Sequence, residues 1–171
     1  MISGDPGLGK SQLSLSIAAI VSTGGRWPLE EGRASQGKVI IISCEDDAED
    51  SIKPRLVTVS AEMDNIFILD GFTKKHKPTK EFAFGLSQDL DVLETMIRKI
   101  GNVDLVILDP ISAFLDSVDS HKNSEVRGIL APVSKLAAKH GTAVLCIAHP
   151  PKSQSGDPIH KVSGSLAFMA A

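Results

Sequence analysis

Eight consecutive residues, Gly4-Asp5-Pro6-Gly7-Leu8-Gly9-Lys10-Ser11, constrain this chain more than any other stretch. They match the spacing G-x-x-x-x-G-K-[S/T] at every fixed position. Glycine at these places lets the backbone curl until successive N–H groups point inward at an anion. A helix that starts directly after the loop adds its positive N-terminal end. Leu13, Leu15, Ile17 and Ala18 continue as such a helix. In this arrangement Lys10 reaches the β- and γ-phosphates of a nucleotide and the Ser11 hydroxyl ligates magnesium. Gln12, the next residue of the first turn, joins the loop as a cofactor-binding position. At average residue usage the pattern arises by chance in roughly one chain of this length in 200. A glycine-rich turn with no ligand is therefore the weaker reading.

The rest of the chain supplies a setting for that loop. Apolar runs at residues 38–44, 65–69, 103–108 and 142–148 are rich in Val, Ile or Leu and read as buried strands. Helical patterns fall between them, at residues 10–21, 48–61, 88–100 and 124–139. In the last of these, Val126, Ile129, Leu130, Val133, Leu136 and Ala137 lie on one face. Pro54 and Pro132 interrupt two of the helices and predict kinks or broken starts. Aromatic residues make up only 4% and Tyr is absent, so the core must be built from aliphatic side chains. That composition and the alternation of strand with helix predict an α/β fold, a mostly parallel twisted sheet with helices on both faces.

No repeat or composition break divides the 171 residues, and a single domain over 1–171 is the economical expectation. Only Met1, Ile2 and Ser3 precede the loop, and residues 163–171 begin another apolar element. The sequence is accordingly expected to be a fragment, truncated at both ends. The net charge of −3 is no global nucleic-acid signature, so any such contact needs local basic loops or an assembled ring. No apolar run approaches the ~18–20 residues that span a bilayer, and no charged-then-apolar leader opens the chain. Cys44 and Cys146 are far apart without metal-ligand spacing, and read as reduced, buried thiols of a cytoplasmic protein.

Three further residues carry candidate chemistry. Asp109 ends the apolar run 103–108, which would place its carboxylate at the mouth of the sheet, where it holds magnesium through water or Ser11. Glu45 follows the run 38–44 and would emerge at the same mouth, as the base that orients and polarises an attacking water. Asp46 and Asp47 compete for that role, and an acidic cap on the next helix is the plainer alternative. His149 ends the last run, where it could sense a γ-phosphate or simply be a structural histidine.

Taken together, the segments resemble the RecA-like P-loop NTPases, and within them the RepA-like group of hexameric replicative helicases, which is classed with AAA-type domains. The matches are GDPGLGKS, TGGRWP at 23–28, IISCEDD at 41–47, LVILDPISAFL at 105–115, HKNSEVR at 121–127, CIAHPPK at 146–152 and Gly-Ser at 164–165. The Glu-Asp pair, the Asp-Pro after the third run and the His-x-x-Lys are the specific ones. The resemblance implies an ATPase in which Glu45 is the hydrolytic base and His149 the γ-phosphate sensor. It makes Arg55 a candidate for stacking on adenine, against the alternative of a surface arginine.

The resemblance also implies DNA contacts through loops at about 111–123 and 150–163, the second holding Lys152, His160 and Lys161. A solvated loop would look the same in one sequence. It further implies assembly as a homo-oligomer, a hexameric ring or filament. The family's arginine finger lies beyond the Gly-Ser segment, so no residue here takes that role. The expected function is therefore an ATP- and magnesium-dependent motor domain of a DNA helicase or related replication or recombination factor. The rival is a switch of the same superfamily that acts on protein partners. A small-molecule kinase would need an arginine-rich lid, and a GTPase an N-K-x-D segment; neither is present.

Overall fold

In the computed structural model of this chain the described residues are 1–69, 72–73, 81–82, 84–115 and 123–149. The elements run β1 (Ile2–Ser3), α1 (Lys10–Thr23), β2 (Lys38–Ser43), α2 (Lys53–Thr58), β3 (Ile66–Leu69), β4 (Phe72–Thr73), β5 (Glu81–Phe82), α3 (Leu90–Ile100), β6 (Val103–Asp109), α4 (Asn123–His140) and β7 (Ala143–Ala148). Five strands form one sheet in the order β1-β7-β6-β2-β3, with every pairing parallel. β4 and β5 pair antiparallel as a separate ribbon.

The aliphatic strands dictate a three-layer arrangement, because successive side chains leave a strand on opposite faces. Ile40, Ile42, Val106 and Leu108 point to one face, where Leu93 and Ile97 of α3 and Val126, Ile129, Leu130, Val133 and Leu136 of α4 cover them. Val39, Ile41, Leu105 and Ile107 point to the other face, against Leu15, Ala18 and Val21 of α1 and Leu56 of α2. Strands buried on both faces carry no polar alternation, which is why β2 reads as a continuous apolar run. Each fully buried aliphatic side chain contributes about 1.5–3 kcal/mol, so this double burial fixes the sheet and the registers of its ends.

Those registers align the carboxyl ends of the strands. Ser43 of β2 lies opposite Asp109 of β6, Leu108 opposite Cys146 of β7, and Ser3 of β1 opposite Ala148. The residues directly after β1, β2, β6 and β7 consequently lie along one edge of the sheet. β7 lies between β1 and β6, so the glycine-rich loop and Asp109 leave strands that are not neighbours.

Several expectations need correction. β2 stops at Ser43, one residue short of the apolar run, so Cys44 is past the sheet and exposed instead of buried. Cys146 is partly buried, and neither cysteine is in a disulfide. The helix expected at 48–61 is split into a wide π turn at Ala48–Ile52 and α2, with Pro54 in the first turn of α2. A helical start tolerates Pro there, since it has no intrahelical acceptor for that N–H. α4 runs through Pro132 as one helix. Ile111–Phe114, expected as part of a DNA-contacting loop, is a 3-10 turn in which Ile111 and Phe114 are fully buried. Phe114 packs edge-on against Phe84, with ring centroids 5.9 Å apart. Apolar side chains outbid solvent at this stretch. Residues 116–122 of that loop, the whole of 150–163, and Gly164-Ser165 lie outside the described residues.

Candidate functional site

The glycine-rich loop joins β1 to α1. Gly7 and Gly9 take φ values of 80° and 82°, a region that side-chain-bearing residues rarely occupy. Gly9 is the N-cap of α1, and no side chain caps that helix. The first-turn amides of Lys10, Ser11 and Gln12 are thus left for an external acceptor. Space above Gly7 and Gly9 is open, with nothing within 4 Å of where a Cβ would stand. The Lys10 side chain is only 7% exposed, and its ammonium donates to the carbonyl of Asp5 at 2.9 Å, bridging the loop. Asp5, Pro6 and Leu8 are exposed around the rim, as is Gln12 on α1, while Gly4 and Ser11 are half-buried.

Asp109 ends β6 behind this loop. It is buried, and its Oδ1 has no hydrogen-bond partner. Burial pushes its carboxyl above the usual carboxylate range; the neighbouring Ser11 side chain opposes that, the charges of Glu45 and Asp46 add to it, and His149 opposes it. A carboxylate held this way is unfavourable on its own and favourable beside a cation. No group of three or more His, Cys, Asp or Glu that could hold a metal occurs among the described residues. Ser11 and Asp109 are hydrogen-bonding neighbours, and a hydroxyl beside a buried carboxylate is an oxygen donor set of the kind that magnesium accepts.

The three acidic residues after β2 are sorted by their partners. Glu45 is largely exposed, and His149, at the end of β7, points its Nε2 at the Glu45 carboxylate at 3.2 Å. The other ring nitrogen of His149, Nδ1, is buried without a partner. Asp46 forms an ion pair with Arg55 at 2.9 Å and accepts from the Ser51 hydroxyl at 3.1 Å. Asp47 is an N-cap: its Oδ1 accepts from the amides of Glu49 and Asp50, both at 2.8 Å. Of the three competing carboxylates, Glu45 is the one whose side chain meets His149, while Asp46 is paired with Arg55 and Asp47 caps the helical turn. Arg55 faces Asp46 from α2. The Asp46 anchor and the Ser43 and Ser51 hydroxyls that help hold it were missed in the sequence reading. The Asp-x4-Ser-x3-Arg spacing across one helical start was the available signal.

Lys10, Ser11, Asp109, Glu45 and His149 thus gather on one edge, though they come from segments up to 139 residues apart in sequence. No helix among the described residues is long and apolar enough to cross a membrane. Comparison with curated proteins gives no match. A family model described as an AAA domain matches residues 1–155. With a glycine loop of the right backbone form and a match over most of its length, the chain belongs to the AAA domain family and carries that family's nucleotide-binding fold.

Proposed function

We propose that this chain binds ATP with magnesium and hydrolyses it, as the motor domain of a DNA helicase or related replication or recombination factor. The observation that carries the hydrolysis reading is the buried, unpartnered Oδ1 of Asp109, set beside Ser11 and in front of the Glu45–His149 pair. A buried charge without a partner is costly unless a ligand completes it.

In this reading the amides of the loop, from Gly4 through Gln12, bind the phosphates. Lys10 leaves the Asp5 carbonyl to bond the β- and γ-phosphate oxygens. Ser11 and Asp109 hold the metal, and magnesium there offsets charge on the phosphates. Glu45 accepts the proton of a water aligned with the γ-phosphorus, which splits the bond to the leaving ADP. His149 bonds Glu45 in the free protein and turns to the γ-phosphate when that group is present, linking nucleotide state to the segment after β7.

The DNA part of the proposal rests on the resemblance and on Lys152, His160 and Lys161, a few phosphate contacts that a ring or filament of copies would multiply. The cytoplasm is the setting that goes with it. The test is ATP turnover by the full-length chain with and without single- or double-stranded DNA. Stimulation is expected. Hydrolysis that DNA leaves unchanged would replace the motor with a switch acting on protein partners, and failure to bind ATP in competition with GTP would remove both.

A further inference from the structure

Among the described residues, Glu45 has no side-chain anchor besides His149. Its place is set by the residues on either side. The amide of Cys44 donates to the Asp109 carbonyl at 3.2 Å, which ties the start of the turn to the end of β6. Asp46 ties the other side, and every polar group of its side chain is used. Its amide donates to the Ser43 Oγ at 3.3 Å, Oδ1 accepts from the Ser51 Oγ at 3.1 Å, and Oδ2 accepts from Arg55 Nη1 at 2.9 Å.

Arg55 can act as a fixed post because of where it sits. It precedes Leu56, which is fully buried, and follows the π turn that buries Ile52. Both side chains pack under α1 and the α1-facing side of the sheet. The helix carrying Arg55 is therefore docked on the core, and its guanidinium reaches across to the turn. Its side chain is 43% exposed and that of Asp46 30%. An ion pair this open adds little to global stability, so its removal leaves the fold standing while freeing the turn.

We propose that Arg55 is a positioning residue, which through its ion pair with Asp46 holds the turn that presents Glu45. This rests on the reading of Glu45 as the group that polarises water. It differs from a contact to the adenine, because it places the effect of Arg55 on turnover and leaves nucleotide affinity nearly alone.

The experiment compares wild type, Arg55→Ala, Arg55→Lys and Asp46→Ala in the full chain. Affinity for a fluorescent ATP analogue, single-turnover hydrolysis and amide hydrogen exchange of the nucleotide-free protein are measured. Arg55→Ala should change affinity by no more than about threefold and slow hydrolysis roughly 10- to 100-fold, the scale of a misplaced reacting group. Arg55→Lys keeps one donor and one charge and should restore most of the rate. Adding Arg55→Ala to Asp46→Ala should cost little more, as expected for partners in one interaction. Exchange at residues 44–47 should speed up in Arg55→Ala without any nucleotide. A tenfold or larger loss of affinity with the single-turnover rate preserved would overturn the proposal in favour of a nucleotide contact. Unchanged exchange at 44–47 would overturn it whether or not the chain hydrolyses ATP. A wild-type chain that binds ATP and never hydrolyses it, while exchange still responds to Arg55, would instead sink the role given to Glu45.

Discussion

The glycine loop at residues 4–11 and the acidic turn at residues 44–47 sit on the same edge of one sheet, but they are specified in different ways. The loop is local. Its two left-handed glycines, the uncapped start of α1 and the Lys10 bond to Asp5 all lie within eight residues. The acidic turn offers three neighbouring carboxylates of similar chemistry, and distant partners assign each a different task. Glu45 meets a histidine 104 residues away, Asp46 an arginine on α2, and Asp47 the amides of its own helical start. A phosphate cradle made of backbone needs only the right spacing. A reactive side chain needs the whole fold to say which of several candidates it is.

Substitutions can break that contrast, beginning with the largest effect. Glu45→Gln keeps the shape of the turn and removes the base, so turnover should fall by ~10²–10⁴ while ATP still binds. Near-normal turnover would hand the role to another group. Lys10→Ala acts on the loop instead. It deletes charge-assisted bonds of about 1.5–3 kcal/mol, so ATP affinity should weaken roughly 10- to 100-fold; titration with unchanged affinity would contradict the cradle.

Asp109 joins the two regions. Its folded pKa is raised, chiefly by burial, so protonation favours the folded state. The stability it contributes is full below the unfolded carboxyl pKa and is lost as pH rises through the raised folded value. Thermal melts of the nucleotide-free protein should therefore show Asp109→Asn more stable at neutral pH, with a flatter pH profile across that window. The same variant should bind nucleotide without a magnesium dependence. Lower stability than wild type at neutral pH would contradict the orphaned charge. Asp47→Ala should have the smallest effect, about 1 kcal/mol of stability for a lost cap, or about 2–4 °C in the melting midpoint for a domain of this size. Turnover should not change with it, in contrast to its neighbour two residues earlier.

The same local-against-distant divide explains what the sequence revealed. The turn of the glycine loop, the four long strands and the helical face of α4 were legible because each depends on spacing or periodicity within one segment. Cys44 was misplaced because apolar character runs one residue past the last ladder pair, Ser43 with Asp109. The loop expected at about 111–123 rested on the resemblance alone, yet Ile111, Phe114 and Leu115 at its start are buried in the core beside β6. The insertion of β7 between β1 and β6 leaves no trace in any single segment. The roles of Asp46 and Asp47 could not be separated until their partners were in place.

A crystal structure of the chain with magnesium and a non-hydrolysable ATP analogue tests the nucleotide site most directly. The triphosphate should lie in the 4–11 loop, with Lys10 Nζ moved from the Asp5 carbonyl to the β- and γ-phosphates and the metal between Ser11 and Asp109. Glu45 should face the γ-phosphate. A nucleotide bound elsewhere, with Lys10 still on Asp5 and Asp109 Oδ1 still without a partner, would contradict it.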